Sequence, residues 1–150
     1  MTAIQIPQRM NFATVAPKVF KAVLALDAAA REGLDPVLLE LVQIRASQIN
    51  RCAYCIDYHT GDARRAGETE ARIHQLSGWH ESSLYTAEER AALALTEAVT
   101  LLPDGVPDSV YDEAARHFDE EQLAHLIALI FTVNTWNRMN VTTRKTPGTE

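Results

Sequence analysis

Apolar residues recur at helical spacing in almost every segment of this chain, and no stretch alternates apolar and polar residues for long enough to make a strand. That pattern restricts the fold to the all-α class. It predicts a helix over 15–31, where Val15, Val19, Phe20, Val23, Leu24 and Leu26 recur before Gly33 supplies a C-terminal stop. Asp35 can cap free backbone N–H groups and Pro36 fits a first helical position, so a second helix follows, with Leu38, Leu39, Val42, Ile44 and Ala46 on its core side. Periodicity resumes from Cys52 to about Ala66, ahead of Gly67. A short helix over 69–76 stops at Gly78, and residues 79–85 read as a loop. Thr86 and Glu89 have the spacing of a capping box for a helix to about Leu102, which Pro103-Asp104-Gly105 breaks. Pro107 starts a short helix to about Phe118. Asp119 with Gln122 opens the longest one, striped by Leu123, Ile127, Ile130, Val133 and Trp136. From Thr142 a frayed tail is expected.

These signals add up to about seven helices in one bundle. No repeat or low-complexity linker divides the 150 residues, so the expectation is a single domain with its core at about 15–142, a flexible N-terminal segment and a flexible C-terminal tail. A chain of this length with 47% apolar residues can bury a core without covalent staples. The net charge is −6, and basic residues pair up only at Arg64-Arg65 and Arg144-Lys145, which argues against nucleic acid and anionic membranes as partners. The first ten residues lack a basic region followed by an apolar run, and nowhere do about eighteen apolar residues run together. The expected location is therefore the cytoplasm.

Chemistry concentrates in one segment. Glu40 is followed after eleven residues by Cys52-Ala53-Tyr54-Cys55 and after three more by His59, and the chain has no other cysteine. A Cys-x-x-Cys pair can be a structural disulfide, half of a zinc site or a redox dithiol. In a reducing cytosol a permanent bridge is disfavoured. A zinc site from Cys52, Cys55, His59 and Glu40 would lack the second, separated ligand pair that structural sites use. Redox chemistry is the reading that remains best supported.

At roughly 100° per residue on a helix, Cys55 falls about 60° from Cys52 and His59 lies between them, so one face presents all three. Cysteines in the first turns of a helix meet unpaired N–H groups and the positive end of the macrodipole, which favours a thiolate. Two sulfurs so close can close a disulfide before one of them is oxidised irreversibly. His59, one turn beyond Cys55, has the pKa range and reach to move a proton. Glu40 interrupts the apolar run Val37-Leu38-Leu39-Glu40-Leu41-Val42, and a buried charge there needs a partner, which makes it the candidate to orient His59. Taken singly, each is weak evidence, because a Glu on an amphipathic helix usually faces solvent and a lone His is usually structural. His74, His80, His117 and His125 form no second constellation.

With these residues the chain resembles the alkylhydroperoxidase D-like family, within the carboxymuconolactone decarboxylase-like superfamily, whose core pattern is Glu-x11-Cys-x2-Cys-x3-His. Glu40, Cys52, Cys55 and His59 match it position for position. The likeness extends to the segments 88–95 and 134–138 and covers most of 35–142. It implies an all-helical trimer or hexamer that reduces hydrogen peroxide or small organic hydroperoxides and is re-reduced by a dithiol partner, with no metal or organic cofactor. Carried over by residue, it makes Cys55 the attacking sulfur, Cys52 the resolving thiol, and Glu40 with His59 the proton relay. The dipole argument by itself favours charge on Cys52, while nearness to His59 favours Cys55. One position departs from the pattern: Tyr54 stands where the best-studied members have a second histidine, and a tyrosine is a poor base at neutral pH, so weaker peroxide turnover is expected. Alternatives are a non-enzymatic redox sensor using the same dithiol and a decarboxylase of the muconolactone type, since a fold alone does not choose chemistry. Phe131, Trp136 and Met139 on the last helix are candidates for an oligomer surface.

Overall fold

The computed structural model describes residues 1–148. Among them there is no strand, and the α-helices in chain order are α1 (Phe12–Val15), α2 (Pro17–Ala30), α3 (Pro36–Ile49), α4 (Ala53–Arg65), α5 (Glu70–Gln75), α6 (Ala87–Thr100), α7 (Asp108–His117) and α8 (Glu120–Thr143). Short 3-10 turns follow α5 and α6, at Leu76–Glu81 and Leu102–Asp104. The all-α, single-domain expectation holds, with the single turn α1 added to the seven helices read from the sequence. No helix among the described residues is long and apolar enough to cross a membrane.

The helix starts form as their capping residues dictate. The Asp35 carboxylate accepts from the N–H groups of Val37 and Leu38 at 2.9 and 3.1 Å. Thr86 with Glu89 and Asp119 with Gln122 close complete capping boxes.

Helix α3 is the centre of the bundle. Every residue from Leu38 to Ile44 is buried, because α4, α6 and α8 surround it and no face is left to water. One core cluster joins Leu38 and Val42 to Leu95 of α6 and to Leu126, Leu129 and Ile130 of α8. A second joins Leu41 and Ile44 to Leu76, Trp79 and Leu93. Glu40 therefore sits inside the protein, where an unpaired carboxylate would be costly.

Three expectations, on α2, on residues 79–85 and on the tail, need correction. Val15, Val19, Leu24 and Leu26 are exposed, and Ala30 is the one buried residue of α2, since α2 lies on the outside of α8 and makes contact through one edge. On α8, Phe131 is exposed while Trp136 is half-buried against the edge of the Phe20 ring, with centroids 5.5 Å apart. Residues 79–85 are not a plain loop: the 3-10 turn runs to Glu81, and the Arg90 guanidinium donates to the carbonyls of Trp79, His80 and Ser82, each at 3.0 Å. The tail also starts later than expected, as α8 continues through Thr143 and ends in a left-handed turn at Arg144. The last two positions, 149–150, lie outside the described residues.

Glu97 of α6 ties this 3-10 turn to α3. It accepts from Arg45 Nε and Trp79 Nε1 at 2.8 Å each and pairs with His80 Nε2 at 3.1 Å. Burial pushes its pKa up, but the hydrogen bonds from Trp79, His80 and Arg45 outweigh it and hold the carboxyl below the ordinary 4.5. A carboxyl with a depressed folded pKa contributes stability above its unfolded value, and that contribution disappears as pH falls through the folded value. Thermal melts of the protein and of Glu97→Gln are expected to differ by about 2–4 °C at neutral pH, roughly 1 kcal/mol after allowance for solvent screening. The gap should close below pH 4.5; a gap that stays constant from neutral to acid would rule the charge out as its source.

Candidate functional site

The turn between α3 and α4 places both cysteines. Arg51 adopts a left-handed conformation with φ 55°, and the Cys52 N–H reaches back to the Ser47 carbonyl at 3.0 Å, closing α3 in a Schellman-type end. A left-handed residue other than glycine costs roughly 1–2 kcal/mol. The Asn50 side chain opposes that cost by donating to Asn134 Oδ1 at 2.8 Å and Asn137 Oδ1 at 2.9 Å, and Asn137 in turn donates to Ser47 Oγ at 2.9 Å. These bonds clamp the turn onto α8.

The chain re-enters helix at once. Cys52 is the N-cap of α4 and lies just outside it, since its Sγ accepts the Cys55 N–H at 3.3 Å. The expectation that Cys52 shares a helical face with Cys55 and His59 is corrected to that extent. The two sulfurs are nevertheless adjacent and joined as a disulfide, with Cα atoms 5.3 Å apart.

The structure brings Glu40 and His59 together as expected. Glu40 Oε2 lies 2.9 Å from His59 Nδ1, and each residue is only 5% exposed. An ionised carboxylate can only accept, so Nδ1 carries the proton and Nε2 is left for exchange with the site. Glu40 is not alone with the histidine. Arg31 Nη1 approaches its Oε1 at 3.4 Å, and Gln43 Nε2 approaches Oε2 at 3.4 Å. Arg31 also donates to Gln43 Oε1 at 3.0 Å and to Asp27 Oδ2 at 2.7 Å, while Trp136 Nε1 donates to Asp27 Oδ1 at 3.2 Å. Burial works against the charge on Arg31, but Asp27 and Glu40 outweigh it and raise the guanidinium's pKa above its ordinary value. The result is an alternating chain of charges and donors from Trp136 through Asp27, Arg31 and Glu40 to His59.

Of these groups Asp27, Arg31, His59 and Trp136 border a cavity of about 190 Å³. Cys55, His59 and Asn140 supply polar wall, and Phe20, Leu24, Tyr54, Tyr58 and Trp136 supply most of the rest. Cys52 is not on this wall, so the sulfur that faces the cavity is that of Cys55. The Asn140 amide lies 3.5 Å from Cys55 Sγ. Tyr54 stacks on Tyr58 at 6.2 Å, and the Tyr58 ring stands edge-on to His59 at 5.2 Å. Burial, with the Asp62 charge, raises the Tyr58 pKa and keeps that phenol neutral.

Glu40, His59 and Asp62 each offer an oxygen or nitrogen within 4.8 Å of the others, which is the spacing of a loose cation site. The Arg31 guanidinium already lies against Glu40, and a second positive charge there would be repelled, so the donor set fits an ion pair better than a metal.

The sequence reading missed Asp27, Arg31, Gln43, Asn140 and Lys145. Two of these carry a signal in the sequence. Gln43 stands three residues beyond Glu40 in an apolar run, and Asn134, Asn137 and Asn140 recur every third residue on one helix face. Arg31 and Lys145 follow the ends of α2 and α8, and periodicity does not announce where such residues point.

The pattern of the carboxymuconolactone decarboxylase family matches residues 17–98. The uncharacterized protein YdfG of Bacillus subtilis (strain 168) is 42% identical over 136 residues, spanning 89% of this chain and 92% of that protein. The crystal structure of a protein of unknown function from Agrobacterium tumefaciens, suggested to be the antioxidant defence protein AhpD, superposes with a TM-score of 0.92 at 38% identity, covering 96% of this chain and all of that one (100%). A variant of the debrominase Bmp8 in complex with 2,3,4-tribromopyrrole superposes at 0.78 with 22% identity over 87% of this chain and 71% of that one, a likeness of fold alone. From the matched family pattern and these full-length likenesses, the chain belongs to the carboxymuconolactone decarboxylase family and has its alkylhydroperoxidase D-like fold.

Proposed function

We propose that the protein is a thiol-dependent peroxidase that reduces hydrogen peroxide or small organic hydroperoxides with its cysteine pair. The observation that carries this reading is the placement of Cys55, alone of the two sulfurs, on a cavity whose wall also holds a histidine fixed by a buried carboxylate. The suggested antioxidant role of the Agrobacterium protein supports it.

In the reduced protein, His59 Nε2 takes the Cys55 proton and the thiolate attacks the terminal oxygen of the hydroperoxide. The S–O bond forms as the O–O bond breaks, and the departing alkoxide takes its proton from His59 to leave as an alcohol, or as water from hydrogen peroxide. Cys55 is now a sulfenic acid. The Cys52 thiolate attacks that sulfur, the S–S bond forms, and hydroxide leaves and is protonated to water. An external dithiol then reduces the disulfide by exchange, becoming a disulfide itself. Glu40 stabilises the imidazolium each time His59 holds a second proton, and Arg31 with Asp27 keeps Glu40 in place.

The test is peroxide consumption under excess dithiol, with free thiols counted after one equivalent of peroxide. The expected result is continuous turnover, with thiols falling from two to none per chain. Thiol loss without turnover would favour a redox sensor, and no thiol loss would end both redox readings.

A further inference from the structure

We propose that Lys145 is a specificity-determining residue of the cavity and that the preferred substrates are hydroperoxides carrying a carboxylate on an apolar body. The inference rests on the thiol-peroxidase reading for its chemistry, and on independent geometry for its charge.

The end of α8 is what delivers this lysine. Arg144 turns left-handed with φ 57°, and the Lys145 N–H returns to the Asn140 carbonyl at 2.9 Å. The reversal lays the half-buried Lys145 side chain across Tyr54, with Nζ 4.5 Å from the ring centroid, on the wall of the cavity that holds Cys55. A cation over an aromatic face is held in position while its three N–H donors stay available.

The other charges on this wall are already matched. Arg31 is paired with Asp27 and Glu40, and Asp27 is paired with Arg31 and Trp136. Among the described residues, no carboxylate forms an ion pair with Lys145. Among the described residues the wall thus carries a positive charge with no carboxylate paired to it, in a chain whose net charge is −6. A cavity of about 190 Å³ is also several times the ~30 Å³ that one water occupies in the liquid, and its apolar walls have no role in binding hydrogen peroxide. Phe20, Leu24 and Trp136 suit a hydrocarbon body, and Lys145 suits an anionic group at its end.

The experiment compares cumene hydroperoxide with its para-carboxylate derivative, for the protein, Lys145→Met and Lys145→Arg. The wild type should show the higher kcat/KM on the carboxylate. In Lys145→Met the ratio of the two kcat/KM values should fall about tenfold, through KM, with Lys145→Arg restoring most of it. An unchanged ratio in Lys145→Met overturns the proposal. If neither hydroperoxide is consumed, the peroxidase reading fails, and titration calorimetry with 4-isopropylbenzoate decides the anion site by itself. Binding about tenfold weaker in Lys145→Met sustains it, and equal binding overturns it.

Discussion

Replacing Cys55 by serine is expected to reduce peroxide consumption to the uncatalysed background, because no other sulfur faces the cavity. Cys52→Ser should behave differently. Its Cys55 can still attack once, so one equivalent of hydroperoxide is consumed and the reaction stops at a sulfenic acid that dimedone traps. The measurement is single-turnover consumption with mass analysis of the trapped product. A dimedone adduct found in Cys55→Ser and missing from Cys52→Ser would reverse the assignment. The comparison resolves two opposed pulls on the sulfurs. The N-cap position and the N–H of Cys55 favour negative charge on Cys52, whereas His59, Asn140 and the cavity favour reaction at Cys55. Access decides between them, since a more acidic sulfur without a path to the peroxide cannot attack it.

Glu40→Gln is expected to lower turnover by about 100-fold, the lower end of what a positioned acid-base group contributes. An amide in place of the carboxylate cannot stabilise an imidazolium, and it leaves the Arg31 guanidinium with one fewer anion. His59→Gln should cost a similar factor, and the double variant little more than either single one, because the pair acts as a unit. Fully additive losses would show that Glu40 does not work through His59. Thermal unfolding provides the structural control. Loss of a charged partner in a buried network costs about 1–3 kcal/mol, and each kcal/mol shifts the melting of a domain of this size by roughly 2–4 °C. A variant that melts a few degrees lower and stays folded at the assay temperature isolates the chemical effect.

The parts of the fold that were legible share one property: their cause is local. Asp35-Pro36, Thr86 with Glu89 and Asp119 with Gln122 satisfy free N–H groups within their own first turns, so residue types at fixed spacing are enough to place those helix starts. Gly67, Gly105 and the turn at Pro103 mark helix ends for the same reason. The parts that were misread depend on distant partners. The exposure of Val19, Leu24 and Leu26 follows from where α2 lands on α8, and their spacing is the same whether that face meets a core or not. Residues 79–85 are ordered by Arg90, and the end of α8 by bonds that residues 143–145 make with their neighbours, including the Arg9 N–H to the Thr143 carbonyl at 2.8 Å.

The candidate site divides along the same line. Sequence by itself determined the all-α class, the proximity of Cys52, Cys55 and His59 along one short segment, and the need of Glu40 for a partner inside an apolar run. The tertiary structure bore out the reading of Glu40 as the partner of His59, and it alone decided that Asp27, Arg31 and Gln43 stand behind the pair, that Cys55 and not Cys52 faces the cavity, and that Lys145 lies on its wall. The physical reason is range. Capping and helical spacing act within about four residues along the chain, whereas a cavity is made by side chains from α2, α4, α8 and the turn after it, which become neighbours only when the bundle closes.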